Sequence, residues 1–316
     1  MIPQLQLGKT DLKVSKLAFG AGPLGGIYGE FTQRDADLAV RTALDYGITT
    51  FDTSPYYGSG RSETVLGASL KGVRRETFTI ITKCGRYDHA SFDFSAERVR
   101  LSVDESLGRL KLDHIDLLLC HDIEFDNPEI IINETLPALR AVLKSGKVRA
   151  LGVSGLPLGI FRTILDETHL DAILSYAHAS LNDDSLMDMI DYLKSKEVGV
   201  IAASPLSMGI LTQAGPPAWH PAGAEIREAT ARALDYCKTK DLDLSDIAVS
   251  WSYRLSGPTS LLVGMNNPAT VHANFSAVNR EYDPDTIRTI RGFFDGVARL
   301  SWPSGCWGEV APARLP

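Results

Sequence analysis

Eight short apolar runs alternate with amphipathic helical patterns along this chain, and that alternation limits the possible folds more than any other feature. The runs lie at residues 16–20, 49–52, 78–82, 115–120, 149–154, 172–176, 199–204 and 260–264. They are almost continuously apolar and rich in Ile, Val and Leu, which is typical of parallel strands covered on both faces. Eight strand and helix units in 316 residues predict an α/β fold, a (β/α)8 TIM barrel that closes on itself.

Start and stop signals mark the helical segments between these runs. Thr32 to Asp35 and Ser185 to Asp188 have the spacing of capping boxes, and Ser95 precedes a long helical pattern. Three glycines stand where helices are expected to end: Gly47, Gly146 and Gly199. The signals therefore agree with the strand pattern about where each unit begins and ends.

Composition narrows the class of protein. No change in composition marks a linker, so residues 1–316 are expected to form a single barrel domain, with a short β-hairpin at residues 4–16. The net charge is -7, and there is no basic block, which argues against nucleic acid or an anionic membrane surface as partner. No apolar run reaches the length of a membrane span. We expect a cytoplasmic monomer or homodimer that acts on a small molecule.

The cysteines are far apart and have no metal-binding spacing. They are expected to be free thiols in a reducing compartment, and no metal site is predicted. The four positions are Cys84, Cys120, Cys237 and Cys306.

A glycine-rich segment competes with the barrel interpretation. Residues 20–25, GAGPLG, follow a predicted strand and match the dinucleotide fingerprint G-x-G-x-x-G. That fingerprint requires a helix to start directly after the glycines. Pro23, Gly26 and Gly29 keep the chain irregular until Thr32, so we interpret the segment as a loop at the barrel mouth.

Polar side chains follow three consecutive predicted strands. Asp52 ends the second run and is followed by Tyr56 and Tyr57, Lys83 follows the third run, and His121 follows the fourth. In a (β/α)8 barrel the carboxyl ends of the strands meet at the catalytic face, so these side chains are expected to converge. Each alone has an ordinary structural explanation, but four such groups at adjacent strand ends indicate a site.

The convergent groups suit proton transfer. A tyrosine with a pKa of about 10 needs a nearby cation to act as an acid or base at neutral pH, and Lys83 is placed to supply one. A buried ammonium group needs a counter-ion, which Asp52 provides. His121 is expected to hydrogen-bond the oxygen that gains or loses the proton.

These four residues, in this chain order, resemble the Asp, Tyr, Lys and His tetrad of the aldo-keto reductases. The resemblance runs nearly end to end, and stretches such as FDTSPYYG, ILSYAHASLND and SPLSMGILT are closer to the family's L-galactose dehydrogenase subgroup. It implies that Tyr57, which precedes a glycine, is the acid/base rather than Tyr56. It also implies hydride transfer to a nicotinamide from C1 of an aldose, here L-galactose giving L-galactono-1,4-lactone, with oxidation favoured at alkaline pH.

The resemblance also implies a cofactor site. Its positions are Ser154, Ser175, Ser204, Leu206, Ser207, Gly209, Gly264, Asn266 and Asn274. The chain departs from the usual family pattern at Gly155, Ser175 and Ala203, where an asparagine, a glutamine and the aromatic that stacks on nicotinamide are common. The basic pair that holds a 2'-phosphate in NADPH-dependent members falls at Gly264 and Thr270, which cannot pair with a dianion. NAD is therefore favoured over NADP, unless an outlying base such as Arg280 compensates.

Aromatic faces with scattered polar groups suit a sugar pocket. The candidates are Tyr56, Asp122 and Trp302, with Tyr28 and Trp219 as weaker ones. The tetrad does not distinguish L-galactose from L-fucose, D-arabinose or related aldoses, or from pyridoxal. A more distant alternative is a non-enzymatic subunit that senses nicotinamide for a partner protein.

Overall fold

The computed structural model describes residues 1–305, and its central element is a closed barrel of eight parallel strands, as predicted. The described residues contain ten strands, which are β1 Gln4–Gln6, β2 Lys13–Ser15, β3 Leu17–Gly20, β4 Thr50–Asp52, β5 Thr79–Cys84, β6 Ile115–Cys120, β7 Val148–Gly155, β8 Ala172–Tyr176, β9 Gly199–Ala203 and β10 Ser260–Gly264. Strands β3 to β10 pair in chain order, and β10 closes the barrel on β3 through the parallel register Leu261 to Leu17. Every barrel strand begins and ends within two residues of the sequence prediction.

Helices surround this barrel. They are α1 Gln33–Asp45, α2 Arg61–Ser69, α3 Ala96–Leu110, α4 Pro128–Ile130, α5 Leu136–Lys144, α6 Gly159–Glu167, α7 Ile190–Ser195, α8 Ala224–Thr239, α9 Leu244–Arg254, α10 Pro268–Asn279 and α11 Pro284–Gly292. Thr32 and Asp35 form the predicted capping box of α1, and Ser95 caps α3 by accepting a hydrogen bond from the Arg98 amide. The α-helix after the glycine-rich segment begins only at Gln33; the glycines themselves form a 3-10 turn, Gly22–Gly25.

Two of the predicted helix boundaries were wrong. Ser185 lies inside a 3-10 turn, where its hydroxyl bonds to Asp183 and His178 instead of capping a helix. Gly199 does not end a helix but starts β9, and the left-handed residue after α7 is Glu197, with φ 62°. A side chain at Gly199 would lie 2.5 Å from Leu7, so close packing explains this glycine.

The predicted hairpin, β1 paired antiparallel with β2, plugs one end of the barrel. Leu7, Leu12 and Val14 are buried in the cluster formed by the inward-facing residues of the barrel strands. Because apolar side chains fill this N-terminal end, the barrel can receive a ligand at the opposite face, where the strands end.

Two features bear on the predicted class of protein. Among residues 1–305, no helix combines the length and the apolarity needed to cross a membrane. Cys84, Cys120 and Cys237 are buried free thiols, as predicted, while Cys306 lies outside the described residues.

Candidate active site

Alternation along the strands sets which side chains line the barrel mouth. Inward-facing positions such as Ala18, Ile81, Leu119 and Leu262 belong to the interior cluster, and the next inward position on each strand forms the layer at the mouth. That layer consists of Gly20, Asp52, Lys83, His121, Ser154, Tyr176, Ala203 and Gly264. One half of the mouth is therefore polar, whereas β9, β10 and β3 present nothing larger than a methyl group.

Lys83 and Asp52 form a buried ion pair at the centre of the polar half. The ammonium nitrogen lies 2.7 and 2.8 Å from the two Asp52 carboxylate oxygens and 2.8 Å from the Thr53 carbonyl oxygen. Lys83 is 1 % exposed and Asp52 4 % exposed. Burial raises the pKa of Asp52, and the attraction of Lys83 opposes that shift.

Tyr57 reaches the same ammonium group. Its hydroxyl oxygen lies 3.3 Å from Lys83 Nζ, which also lies 4.8 Å from the centre of the ring. Burial, followed by the Asp52 carboxylate, nevertheless raises the pKa of Tyr57 well above its usual value. Burial is the larger cause, and the Lys83 charge is already paired with Asp52, so the expectation that Lys83 lowers the pKa of Tyr57 is not met.

His121 is held by Ser54, a residue that the sequence analysis missed. Ser54 Oγ lies 2.9 Å from His121 Nδ1 and accepts a hydrogen bond of 3.1 Å from the Tyr56 amide. The direction of this hydrogen bond follows the tautomer of the imidazole: a Ser54 hydroxyl that donates to Nδ1 leaves the ring proton on Nε2. Burial lowers the pKa of His121 to about 3, so the imidazole is neutral.

A second ion pair, also missed, lies beside this histidine. Arg86 Nη1 bonds to Asp122 Oδ2, and the same carboxylate oxygen is 3.7 Å from His121 Nε2. The guanidinium group stacks 3.9 Å from the centre of the Tyr56 ring. Burial alone would raise the pKa of Asp122, but His121 and Arg86 hold it below its usual value. Two predicted pocket residues, Tyr56 and Asp122, therefore do lie beside the tetrad.

The C-terminal segment crosses the mouth next to these groups. Ser304 donates a 2.8 Å hydrogen bond to Glu124 Oε1, which also accepts from the Leu156 amide at 3.0 Å. Among residues 1–305, buried Glu124 Oε2 has no partner. Trp302 is 9 % exposed and packs edge-on against His220 at 4.9 Å. The structure thus places Trp302 in a packing contact with the long loop after β9.

Glu124 predicts a pH-dependent stability. Burial and the nearby Asp122 raise the pKa of Glu124 to about 8, so the folded protein favours the protonated carboxyl group. The contribution of Glu124 to the free energy of unfolding is therefore fully present below the unfolded-state pKa near 4.5 and is lost as pH rises towards 8. Glu124→Gln keeps the oxygen that Leu156 and Ser304 use. At about 1.4 kcal/mol per pKa unit, the variant should become more stable than wild type by on the order of 2–4 kcal/mol between pH 5 and pH 9.

Thermal unfolding of both proteins across that range measures the difference. Glu129→Gln, which changes an exposed carboxylate in the nearby helix α4, is the control and should follow wild type. A constant gap between Glu124→Gln and wild type from pH 5 to pH 9 would show that Glu124 does not titrate there.

The loop after β9 has the geometry of an anion site. Ser204, Ser207, Met208 and Gly209 all have left-handed φ angles, from 45° to 105°. The amides of Leu206 and Met208 donate no hydrogen bond within residues 1–305. Successive left-handed residues turn their N–H groups into a concave surface that binds anions, and buried hydrogen bonds from Ser207 to Asn182 and from His220 to the Ser207 carbonyl oxygen hold this loop.

The segment after β10 contains the remaining predicted cofactor residues. Asn267 caps the 12-residue helix α10, and the Thr270 hydroxyl is used within that capping box. Asn266 bonds to the Asn267 side chain, and Asn274 lies 3.5 Å from the Gly264 carbonyl oxygen. Thr270 therefore stabilises the start of α10, at the position where a basic side chain would be needed to bind a 2'-phosphate.

Ser154 and Ser175 differ in what they do. Ser154 Oγ accepts a 3.1 Å hydrogen bond from the Asp122 amide, and so positions the residue after His121. Ser175 Oγ is buried and has no partner in the described part of the chain. Since Ala172 and Leu174 face the barrel interior, Tyr176 rather than Ser175 takes the inward position at the mouth. Tyr176 is another residue that the sequence analysis missed.

Comparison with known proteins defines the class. The model of the aldo/keto reductase family matches residues 16–294. The chain belongs to the aldo/keto reductase family and is an oxidoreductase. Nicotinamide cofactors are those that this family uses.

Particular relatives carry the comparison further. The chain is 47% identical to the L-galactose dehydrogenase of Arabidopsis thaliana over 308 residues, covering 95% of this chain and 96% of that protein. It is 34% identical to the D-arabinose 1-dehydrogenase of Saccharomyces cerevisiae over 255 residues, covering 76% and 75%. The solved structure of the aldo-keto reductase AKR11C1 from Bacillus halodurans, in its holo form, matches with a TM-score of 0.77 at 23% identity over 93% of this chain and 96% of that one, which supports the fold.

Proposed function

We propose that the protein oxidises L-galactose at C1 to L-galactono-1,4-lactone with NAD as the hydride acceptor. The observation that supports this most is the convergence of Asp52, Tyr57, Lys83 and His121 at one end of the barrel. The 47% identity to an L-galactose dehydrogenase favours that sugar among the aldoses.

Each tetrad residue has a task in this proposal. Tyr57 takes the proton of the C1 hydroxyl as the phenolate. Lys83 lies within hydrogen-bonding distance of the Tyr57 oxygen and stabilises the negative charge that the phenolate carries before it takes the proton, while Asp52 holds Lys83 in place. His121 donates from Nε2 to the reacting oxygen. A bound nicotinamide supplies the acceptor for the hydride that leaves C1.

The barrel mouth fits such a cofactor. Gly20, Ala203 and Gly264 present no more than a methyl group on three adjacent strands. The Pro23 side chain lies 3.1 Å from where a Cβ at Gly264 would stand, so the flat nicotinamide ring is expected to lie over Ala203 rather than over Gly264. Ser154, which faces the mouth, is the candidate for contact with its carboxamide, whereas Ser175 does not take an inward position on β8. The free amides of the loop that contains Ser204, Leu206, Ser207 and Gly209 suit the pyrophosphate, and Asn266 and Asn274 lie where the adenosine would follow.

The absence of a base at the start of α10 supports NAD rather than NADP. The candidate base Arg280 follows the last residue of α10, about 18 Å from its first turn at 1.5 Å per residue. A dianionic 2'-phosphate near Thr270 would therefore find no counter-charge from Arg280.

Initial rates of NADH and NADPH formation test the proposal with L-galactose, L-fucose, D-arabinose, D-glucose and pyridoxal. We expect the highest kcat/KM with NAD and L-galactose. A higher value with L-fucose or D-arabinose would keep the mechanism and change the substrate, and turnover of none of them would reject sugar oxidation. Cofactor binding without any turnover would favour the non-enzymatic, nicotinamide-sensing alternative.

A further inference from the structure

The Arg86 and Asp122 ion pair is more rigidly held than a surface ion pair. The side chains are 13% and 6% exposed. The guanidinium group lies among three aromatic rings, 3.9 Å from the centre of Tyr56, 5.1 Å from that of Phe92 and 5.2 Å from that of Phe125. These rings fix the plane of the guanidinium group.

Asp122 is fixed independently. Its backbone is left-handed, with φ 51°, and its amide donates to Ser154 Oγ. A non-glycine residue in this conformation is held there by its surroundings, and such residues cluster at functional sites. Both members of the pair are therefore preset before any ligand binds.

The pair leaves a donor and an acceptor unused. Within residues 1–305, Arg86 Nη2 and Asp122 Oδ1 make no hydrogen bond, and Arg86 Nε is buried without a partner. A buried ion pair is by itself a weak source of stability. Unused hydrogen-bonding capacity next to it is what a polyhydroxylated ligand can satisfy.

The pair also lies beside the reacting groups. Asp122 Oδ2 is 3.7 Å from His121 Nε2. The Tyr56 ring that stacks on Arg86 lies 5.7 Å from the His121 ring and 5.8 Å from the Tyr57 ring, centre to centre. A group bonded to the reacting carbon of a substrate held by Tyr57 and His121 therefore falls within reach of Arg86 and Asp122.

We propose that Arg86 and Asp122 recognise the hydroxyl group adjacent to the reacting carbon, and so select 2-hydroxy aldoses over substrates without that hydroxyl. This inference rests on the proposed function. The hydroxyl oxygen accepts from the Arg86 guanidinium group while its hydrogen goes to Asp122 Oδ1. A substrate that lacks the hydroxyl leaves both charged groups unsatisfied in a desolvated site, which is the arrangement that gives strong discrimination.

The test is a ratio of kcat/KM values, L-galactose over 2-deoxy-L-galactose, measured with NAD. Wild type should prefer L-galactose by about 100-fold or more. In Arg86→Gln and Asp122→Asn we expect this ratio to fall at least tenfold, because the intact sugar loses more than the deoxy sugar. Arg86→Lys keeps the charge but not the planar fork, so its ratio should be intermediate.

Arg98→Gln is the matched control. Arg98 also stacks on a tyrosine, 3.9 Å from the centre of the Tyr87 ring, and pairs with Glu105. In the described part of the chain it too has a buried nitrogen without a partner, but it lies in helix α3 rather than directly after a barrel strand. Its ratio should equal that of wild type. An equal loss for both sugars in Arg86→Gln and Asp122→Asn would overturn the proposal and assign the pair a purely structural role. If Arg86→Gln fails to fold by thermal unfolding, Arg86→Lys and Asp122→Asn decide.

A second substrate pair separates this proposal from the proposed function. NADH-dependent reduction of lactaldehyde and of propanal compares two aldehydes that differ only in the hydroxyl next to the carbonyl, and it requires no sugar oxidation. If wild type oxidises no aldose, the proposed function fails, and the lactaldehyde to propanal ratio still tests Arg86. A wild-type ratio near one would then overturn the recognition proposal as well.

Discussion

Tyr57→Phe is expected to lower kcat for sugar oxidation by about 10²- to 10⁴-fold, the usual contribution of a general acid or base. The variant loses the hydroxyl that lies 3.3 Å from Lys83 Nζ and keeps the ring. Stability should change by less than about 1 kcal/mol, since one long hydrogen bond is removed. Stopped-flow or steady-state NADH formation measures the effect on kcat.

The pH dependence of kcat/KM identifies which tyrosine acts as the acid/base. Burial and Asp52 raise the pKa of Tyr57, so log kcat/KM of wild type should still be rising in the alkaline range as the phenolate forms. That rise should be absent in Tyr57→Phe. Tyr56→Phe is the comparison, with an expected change in KM larger than that in kcat. A collapse of kcat in Tyr56→Phe, with Tyr57→Phe active, would reverse the assignment of the two tyrosines.

Lys83→Met should abolish activity and destabilise the fold by about 3–5 kcal/mol, because it leaves the Asp52 carboxylate buried and unpaired. The loss of stability should depend on pH. Without Lys83, only burial acts on Asp52, so its folded-state pKa lies above the unfolded value, and stability present at low pH is lost as pH rises. The variant should therefore be closer to wild type at pH 5 than at pH 8 in thermal unfolding.

The double variant Asp52→Asn, Lys83→Met separates charge from packing. It removes both charges from the pair, and we expect it to regain most of the stability lost in Lys83→Met while remaining inactive. If the double variant is as unstable as the single one, the loss comes from the packing of the lysine stem rather than from the stranded carboxylate.

The barrel strands could be predicted from the sequence because each is buried on both faces and is therefore an almost continuous apolar run. Three candidate residues followed from the same pattern, since Asp52, Lys83 and His121 stand at the ends of adjacent strands, whereas the choice of Tyr57 over Tyr56 came from the family resemblance. In contrast, Ser185 was wrong as a helix cap because Asp183 and His178 compete for its hydroxyl. Local spacing contains no information about such a competitor.

Ser54, Arg86 and Glu124 could not be found in this way. Each acts through a partner that is distant in the chain: His121 for Ser54, Asp122 for Arg86, and the C-terminal Ser304 for Glu124. Their loops have no periodicity that reports which side chains meet. The one available signal was that Arg86 is a charged residue shortly after Lys83, at the end of a barrel strand. The aromatic rings that surround Arg86 cannot be identified from the sequence.

The closure of β10 on β3 has a consequence for how the chain acquires its structure. Leu17 pairs with Leu261, and the Ser260 hydroxyl donates to the Ser15 carbonyl oxygen, a separation of 245 residues. During synthesis, β3 and β9 remain open sheet edges until β10 has left the ribosome. Such edges expose unpaired backbone groups and favour aggregation, and pairing across so long a loop is slow. Nascent chains that stop before Ser260 should therefore depend on chaperones, whereas completion of β10 removes both edges in one step.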